Sequence, residues 1–73
     1  MATNEGDAWP VNARGMKCPW PALRAARAMR NHPAVLVEAD DPVAPRELEA
    51  LAGLNGWQFE SPGGGRFILR RKE

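Results

Sequence analysis

Hydrophobic residues follow two different periods along this chain of 73 residues. Residues 34–39 (AVLVEA) are nearly all apolar and rich in valine, which is typical of a buried central strand. Residues 9–13, 57–60 and 66–71 are further segments whose composition or alternation also predicts strands. Between these segments apolar residues recur three and four positions apart, which predicts helices.

The first predicted helix occupies residues 19–31 and stops at Asn31-His32-Pro33. A residue before a proline avoids the α region, so we expect the regular helix to begin at Pro21. Its apolar stripe is predicted to consist of Ala22, Leu23, Ala25, Ala26 and Met29.

The second predicted helix runs from about Val43 or Pro45 to Leu54 and ends at Asn55-Gly56. Asp40 and Asp41, beside Pro42, are expected to serve as turn and helix-capping residues. Residues 61–65 (SPGGG) predict a hairpin loop. The element order is therefore βαβαββ, an α+β fold in which two helices cover one face of a four-stranded mixed sheet as a two-layer α/β sandwich.

The length of the chain limits the size of its hydrophobic core and the kind of site it can form. We expect residues 1–7 to be a disordered lead-in and residues 8–73 to form a single domain with a small core, so that any chemistry lies on the surface. One cysteine and one histidine fall short of a zinc ligand set, and no metal or cofactor is expected. The acidic start is unlike a signal peptide and no segment is long enough to span a membrane, which favours the cytoplasm.

Charge is unevenly distributed although the net charge is only +1. Residues 8–37 contain no acid, residues 38–60 contain six acids and one base, and the C-terminus is basic again. Arg24 and Arg27 on the first helix are therefore candidates for docking an acidic partner, although ordinary solvated arginines are an equal alternative. Direct nucleic-acid contact is not expected, because no aromatic residues are interleaved with the basic ones near the C-terminus.

The candidate for chemistry is Cys18, the only cysteine. Sulfur reacts as the thiolate, and a neighbouring Lys17 and a helix N-terminus both lower a thiol pKa. We therefore expect Cys18 to be exposed and readily ionised, and not a small buried hydrophobe. Trp20 between two prolines is either an exposed docking aromatic or a lid over the sheet edge.

The motif Arg14-Gly15-x-x-Cys18-Pro19-x-Pro21 after a first strand resembles the TusA-like (SirA/TusA) sulfur-carrier family. The segments Glu38–Pro42 and Phe67–Arg71 are also similar to that family, and the resemblance extends from Val11 to Lys72.

The resemblance implies that Cys18 accepts sulfane sulfur as a persulfide and relays it. The donor would be a cysteine desulfurase or rhodanese-like protein, and the acceptor would serve tRNA thiolation, cofactor biosynthesis or sulfur metabolism. Such a protein is a persulfide carrier of sulfurtransferase type rather than a stand-alone multiple-turnover enzyme, and a monomer suits it best. The motif residues that would position the cysteine are Arg14, Gly15, Lys17, Pro19, Trp20 and Pro21.

One position departs from the family pattern. Asn12 stands where the family usually has aspartate, and it can still accept a hydrogen bond from the loop.

The alternative function is a non-catalytic interaction or regulatory domain that binds a partner through its basic first helix.

Overall fold

The computed structural model describes residues 8–72, so the predicted lead-in at residues 1–7 lies outside the described residues. The elements are β1 (Trp9–Asn12), α1 (Trp20–Met29), β2 (Ala34–Glu38), α2 (Ala44–Asn55), β3 (Gln58–Gly63) and β4 (Arg66–Arg70). This order confirms the predicted βαβαββ fold.

The four strands form one mixed sheet in the order β1-β2-β4-β3. Strand β1 pairs with β2 in parallel, whereas β4 pairs antiparallel with both β2 and β3. The prediction that β2 is central is confirmed, and Val35 and Val37 are fully buried there. Because β1 and β2 are parallel, with Asn12 opposite Glu38, the segments that follow both strands leave the sheet at the same edge.

Both helices pack on one face of the sheet and close a single core. Helix α1 contributes Pro21, Ala25 and Met29, which are four residues apart and therefore share a side. The buried residues of α2 are Ala44, Leu48 and Ala52, again four apart. The prediction for Leu23 is wrong: two positions from Pro21 and from Ala25, it turns away from the core and is 51% exposed.

The helix ends differ slightly from those predicted. Helix α1 begins at Trp20, one residue before the expected Pro21, with Pro21 in its first turn where a missing amide costs no helical hydrogen bond. Helix α2 ends as predicted, with Gly56 in the left-handed region at φ 71° and Trp57 N donating to Ala52 O at 2.8 Å.

The predicted loop at residues 61–65 is partly wrong. Strand β3 continues to Gly63 through an irregularity in its pairing after Glu60, and the turn is confined to Gly64 and Gly65. This tip is anchored on the end of β2, because Ala39 N donates to Gly65 O at 2.9 Å.

Candidate functional site

The cysteine lies in the loop that joins β1 to α1. Two turns shape this loop, with Met16 N donating to Ala13 O at 3.2 Å and Trp20 N donating to Lys17 O at 2.8 Å. Gly15 adopts a left-handed φ of 79°, which a side chain would disfavour. Cys18 follows at the end of the loop, just before α1, and is exposed.

Three carboxylates from the segment after β2 hold this loop. Asp40 Oδ1 accepts a hydrogen bond from Gly15 N at 3.0 Å, and Asp41 Oδ2 accepts one from Cys18 N at 2.6 Å. The third carboxylate belongs to Glu47 in the first turn of α2, and its Oε2 accepts a hydrogen bond from the Cys18 thiol. The cysteine loop is therefore hydrogen-bonded to residues 40–47, which we call the β2–α2 corner.

The predicted turn role of the aspartates is seen in Asp41, whose Oδ1 accepts from Val43 N at 3.2 Å. The N-cap residue of α2 is Val43, however, and no side chain caps that helix. The remaining oxygen of Asp41 and the carboxylate of Asp40 reach across to the cysteine loop, more than 20 positions away. Sequence reasoning missed this second role.

The expected ionisation of Cys18 is wrong for the free protein. Its pKa is raised by the hydrogen bond to Glu47, then by the partial loss of solvent around the sulfur, and then by the charges of Glu47 and Asp41. The helix terminus has little to offset this, because Pro19 and Pro21 carry no amide proton and Trp20 N is bonded to Lys17 O. Carboxylates distant in sequence therefore outweigh the basic residues beside the cysteine.

Arg14 and Asn12 belong to the frame of the loop. Asn12 Oδ1 accepts a hydrogen bond from Arg14 N at 3.2 Å, as the sequence suggested it could. The Arg14 guanidinium pairs with Glu38 at 3.4 Å, a contact that is partly exposed and therefore of small energetic value. The positive charge of Arg14 is therefore paired with Glu38 of β2 and is not directed at the thiol.

The residues of the motif around the two prolines differ in their exposure to solvent. Pro21 is buried against the core, whereas Pro19 and Lys17 are exposed, and the Cys18–Pro19 peptide bond is cis. Trp20 is 59% exposed, which favours the docking alternative over a packed lid.

Next to the cysteine, α1 presents a hollow that we call the α1 patch. It is lined by Met16, Trp20, Leu23, Arg24 and Arg27. Arg24 and Arg27 also line a second hollow, which contains the stacked rings of Trp9 and His32 with centroids 4.1 Å apart. The two arginines named as docking candidates therefore form the boundary between two surface depressions.

Within residues 8–72 no three His, Cys, Asp or Glu side chains converge in a way that could hold a metal ion. Over the same stretch, neither helix has the length and apolar character needed to cross a membrane.

Comparison with known proteins identifies the family. The family model described as sulfurtransferase TusA matches residues 10–71. The chain belongs to the TusA family. Among solved structures, a SirA-like protein from Desulfitobacterium hafniense is 24% identical, with a TM-score of 0.72 over 88% of this chain and 97% of that chain. No curated protein matches the sequence.

Membership of the TusA family indicates the general role of this protein. The general role is that of a sulfur-carrier sulfurtransferase that works in relay with partner proteins. The likeness to the SirA-like protein shows that the two chains share a fold.

Proposed function

We propose that this protein carries sulfur as a persulfide on Cys18, in the cytoplasm and as a monomer. It would receive the sulfur from a cysteine desulfurase or rhodanese-like donor and pass it to an acceptor protein. The observation that carries the proposal is the exposure of the single cysteine at the α1 end of a loop that is hydrogen-bonded to the β2–α2 corner. The acceptor would serve tRNA thiolation, cofactor biosynthesis or sulfur metabolism.

The chemistry needs no cofactor. The Cys18 sulfur attacks the outer sulfur of the donor persulfide, the sulfur–sulfur bond of the donor breaks, and the donor cysteine leaves. The proton released by the Cys18 thiol ends on the departing donor cysteine, so the products are a Cys18 persulfide and a donor thiol. A sulfane sulfur changes its carrier and there is no net oxidation or reduction.

The raised pKa of Cys18 places a condition on this step. Only the thiolate attacks efficiently, so little attack is expected while the carrier is free. A donor whose cleft replaces the hydrogen bond to Glu47 with a cation or a base favours deprotonation on docking. The exposed position of Cys18 is compatible with entry into such a cleft.

We further propose that the loop motif presents the sulfur and that α1 binds the partners. Arg14, Gly15, Lys17, Pro19 and Pro21 would fix the shape of the loop, while Trp20 supplies an exposed aromatic anchor. Arg24 and Arg27 beside Trp20 would attract acidic groups on the donor and the acceptor.

The second candidate is a binding domain that uses the α1 patch without sulfur chemistry. Its support is the exposure of Trp20 and Leu23 at 59% and 51%, next to two arginines. Such exposed apolar side chains are common at protein-binding surfaces.

A loading experiment separates the two functions. The protein is incubated with a cysteine desulfurase and cysteine, and intact mass is recorded before and after reduction. A carrier gains one sulfur atom that a reductant removes and that the Cys18→Ser variant never gains. The binding-domain function is favoured if no sulfur is gained while Cys18→Ser retains full affinity for a partner captured through the α1 patch.

A further inference from the structure

Glu47 lies outside the cysteine motif and touches the reacting atom. Its Oε2 accepts the hydrogen bond from the Cys18 thiol. Its other oxygen, Oε1, is buried and accepts no hydrogen bond among residues 8–72. The Glu47 carboxylate has lost hydrogen bonds to water on burial. The hydrogen bond from the Cys18 thiol is a main compensation for that loss.

The position of Glu47 is set by the fold rather than by the loop. It lies in the first turn of α2, where a negative charge also suits the helix dipole, and its amide donates to Val43 O at 3.3 Å. Leu48, the next residue, is fully buried and fixes this part of the helix against the sheet. Glu47 is therefore held beside the cysteine by packing that does not depend on the cysteine itself.

The charged groups that act on Cys18 come from two elements beyond its own loop. Asp41 from the turn after β2 and Glu47 from α2 both disfavour the thiolate. Within the loop itself, the neighbouring Lys17 is exposed.

We propose that Glu47 is a positioning residue that restrains the unloaded Cys18 as a hydrogen-bonded thiol, so that sulfur enters mainly from a docked donor that displaces this hydrogen bond. The purpose of this restraint rests on the proposed carrier function, but the restraint itself is a property of the free protein. Small sulfur compounds in solution then react slowly, while a protein donor that relieves the restraint reacts quickly.

The test measures the rate of alkylation of Cys18 by iodoacetamide as a function of pH, which reports the thiolate without any sulfur donor. In Glu47→Gln the pH profile moves to lower pH, and near neutral pH the rate rises about threefold because more of the sulfur is ionised. The matched control is Glu49→Gln, an exposed acid on the same helix, whose profile stays that of the wild type. A merely structural role for Glu47 would alter unfolding without moving this profile.

Two further measurements complete the design. Glu47→Asp keeps the charge at the helix start but shortens the side chain, and we expect a smaller rise, so it decides the matter if Glu47→Gln fails to fold by circular dichroism. Loading from inorganic polysulfide should increase more in Glu47→Gln than loading from a desulfurase. Alkylation profiles of the folded variants that coincide with the wild type overturn the inference, whereas a failure of every variant to gain sulfur contradicts only the carrier function.

Discussion

The backbone amide of Cys18 donates a hydrogen bond of 2.6 Å to the carboxylate of Asp41, a residue 23 positions further along the chain. The contact exists because β1 and β2 run in parallel, so the segments that follow them meet at one edge of the sheet. The geometry of the cysteine is therefore determined by the β2–α2 corner as much as by its own proline-rich loop.

Asp41→Ala removes an acceptor for Cys18 N and for Val43 N, and we expect a loss of about 1–2 kcal/mol in the free energy of unfolding. Asp41→Asn retains one side-chain oxygen and should lose less. Urea unfolding measures both, with Glu49→Ala as a control for removal of an exposed acid. Equal stability of Asp41→Ala and the control would mean that the corner does not hold the loop.

The raised pKa of Cys18 predicts a pH dependence of stability. A group whose pKa is higher in the folded state contributes stability that is complete below its unfolded pKa of about 8.5 and is lost as the pH rises through the folded value. We therefore expect the free energy of unfolding to fall on the alkaline side more steeply in the wild type than in Cys18→Ser. Denaturant unfolding across this range tests it, and parallel curves would contradict it.

Gly65 connects the β3–β4 turn to the site. A Cβ at this position would lie 2.8 Å from Ala39 O, whereas one at Gly64 would meet nothing within 4 Å. Both glycines have positive φ, 74° and 67°, so alanine is strained at each by about 1 kcal/mol. Gly65→Ala should therefore be clearly the more destabilising in thermal melts, and it should raise amide exchange at Ala39, next to Asp40. Similar losses in both variants would exclude a role for the close approach.

Leu48 supports the part of α2 that carries Glu47. It is fully buried, and Leu48→Ala should cost about 2–4 kcal/mol, a large share of the stability of so short a chain. Leu54→Ala on the same helix, where the side chain is 87% exposed, should change the free energy of unfolding by less than about 0.5 kcal/mol. Calorimetry of the two variants measures both losses. An equal loss of stability in the two variants would mean that Leu48 is not part of the core.

The elements were predictable because each follows from local pattern. The valines of β2 and the spacing of Ala25 and Met29 are visible in the sequence, and so is the stop at Gly56. The boundaries shifted where the structure overrides a local preference: Trp20 is helical although it precedes a proline, and β3 continues through Pro62 to Gly63.

The candidate site was predictable only in part. Cys18 and its prolines are adjacent in sequence, so the motif could be found. Glu47 meets the Cys18 thiol and Asp41 meets the Cys18 amide only because β1 and β2 pair in parallel, and no local pattern specifies that pairing. The one available signal was the cluster of acids after β2, beside the start of a helix. Local basic residues therefore predicted the wrong direction for the pKa of the thiol.

The last prediction concerns Arg24 and Arg27, which line the α1 patch next to the cysteine. If they attract an acidic partner, charge reversal to glutamate at either position should slow persulfide transfer from a desulfurase by about tenfold, mainly through association. Added salt should slow the wild type more than the variants, because screening removes an attraction that the variants already lack. Arg30→Glu is the matched control, since it lies on the next turn of the same surface and lines neither hollow. Stopped-flow transfer rates at two salt concentrations decide the point, and an equal loss in Arg30→Glu would indicate a general charge effect instead of a docking surface.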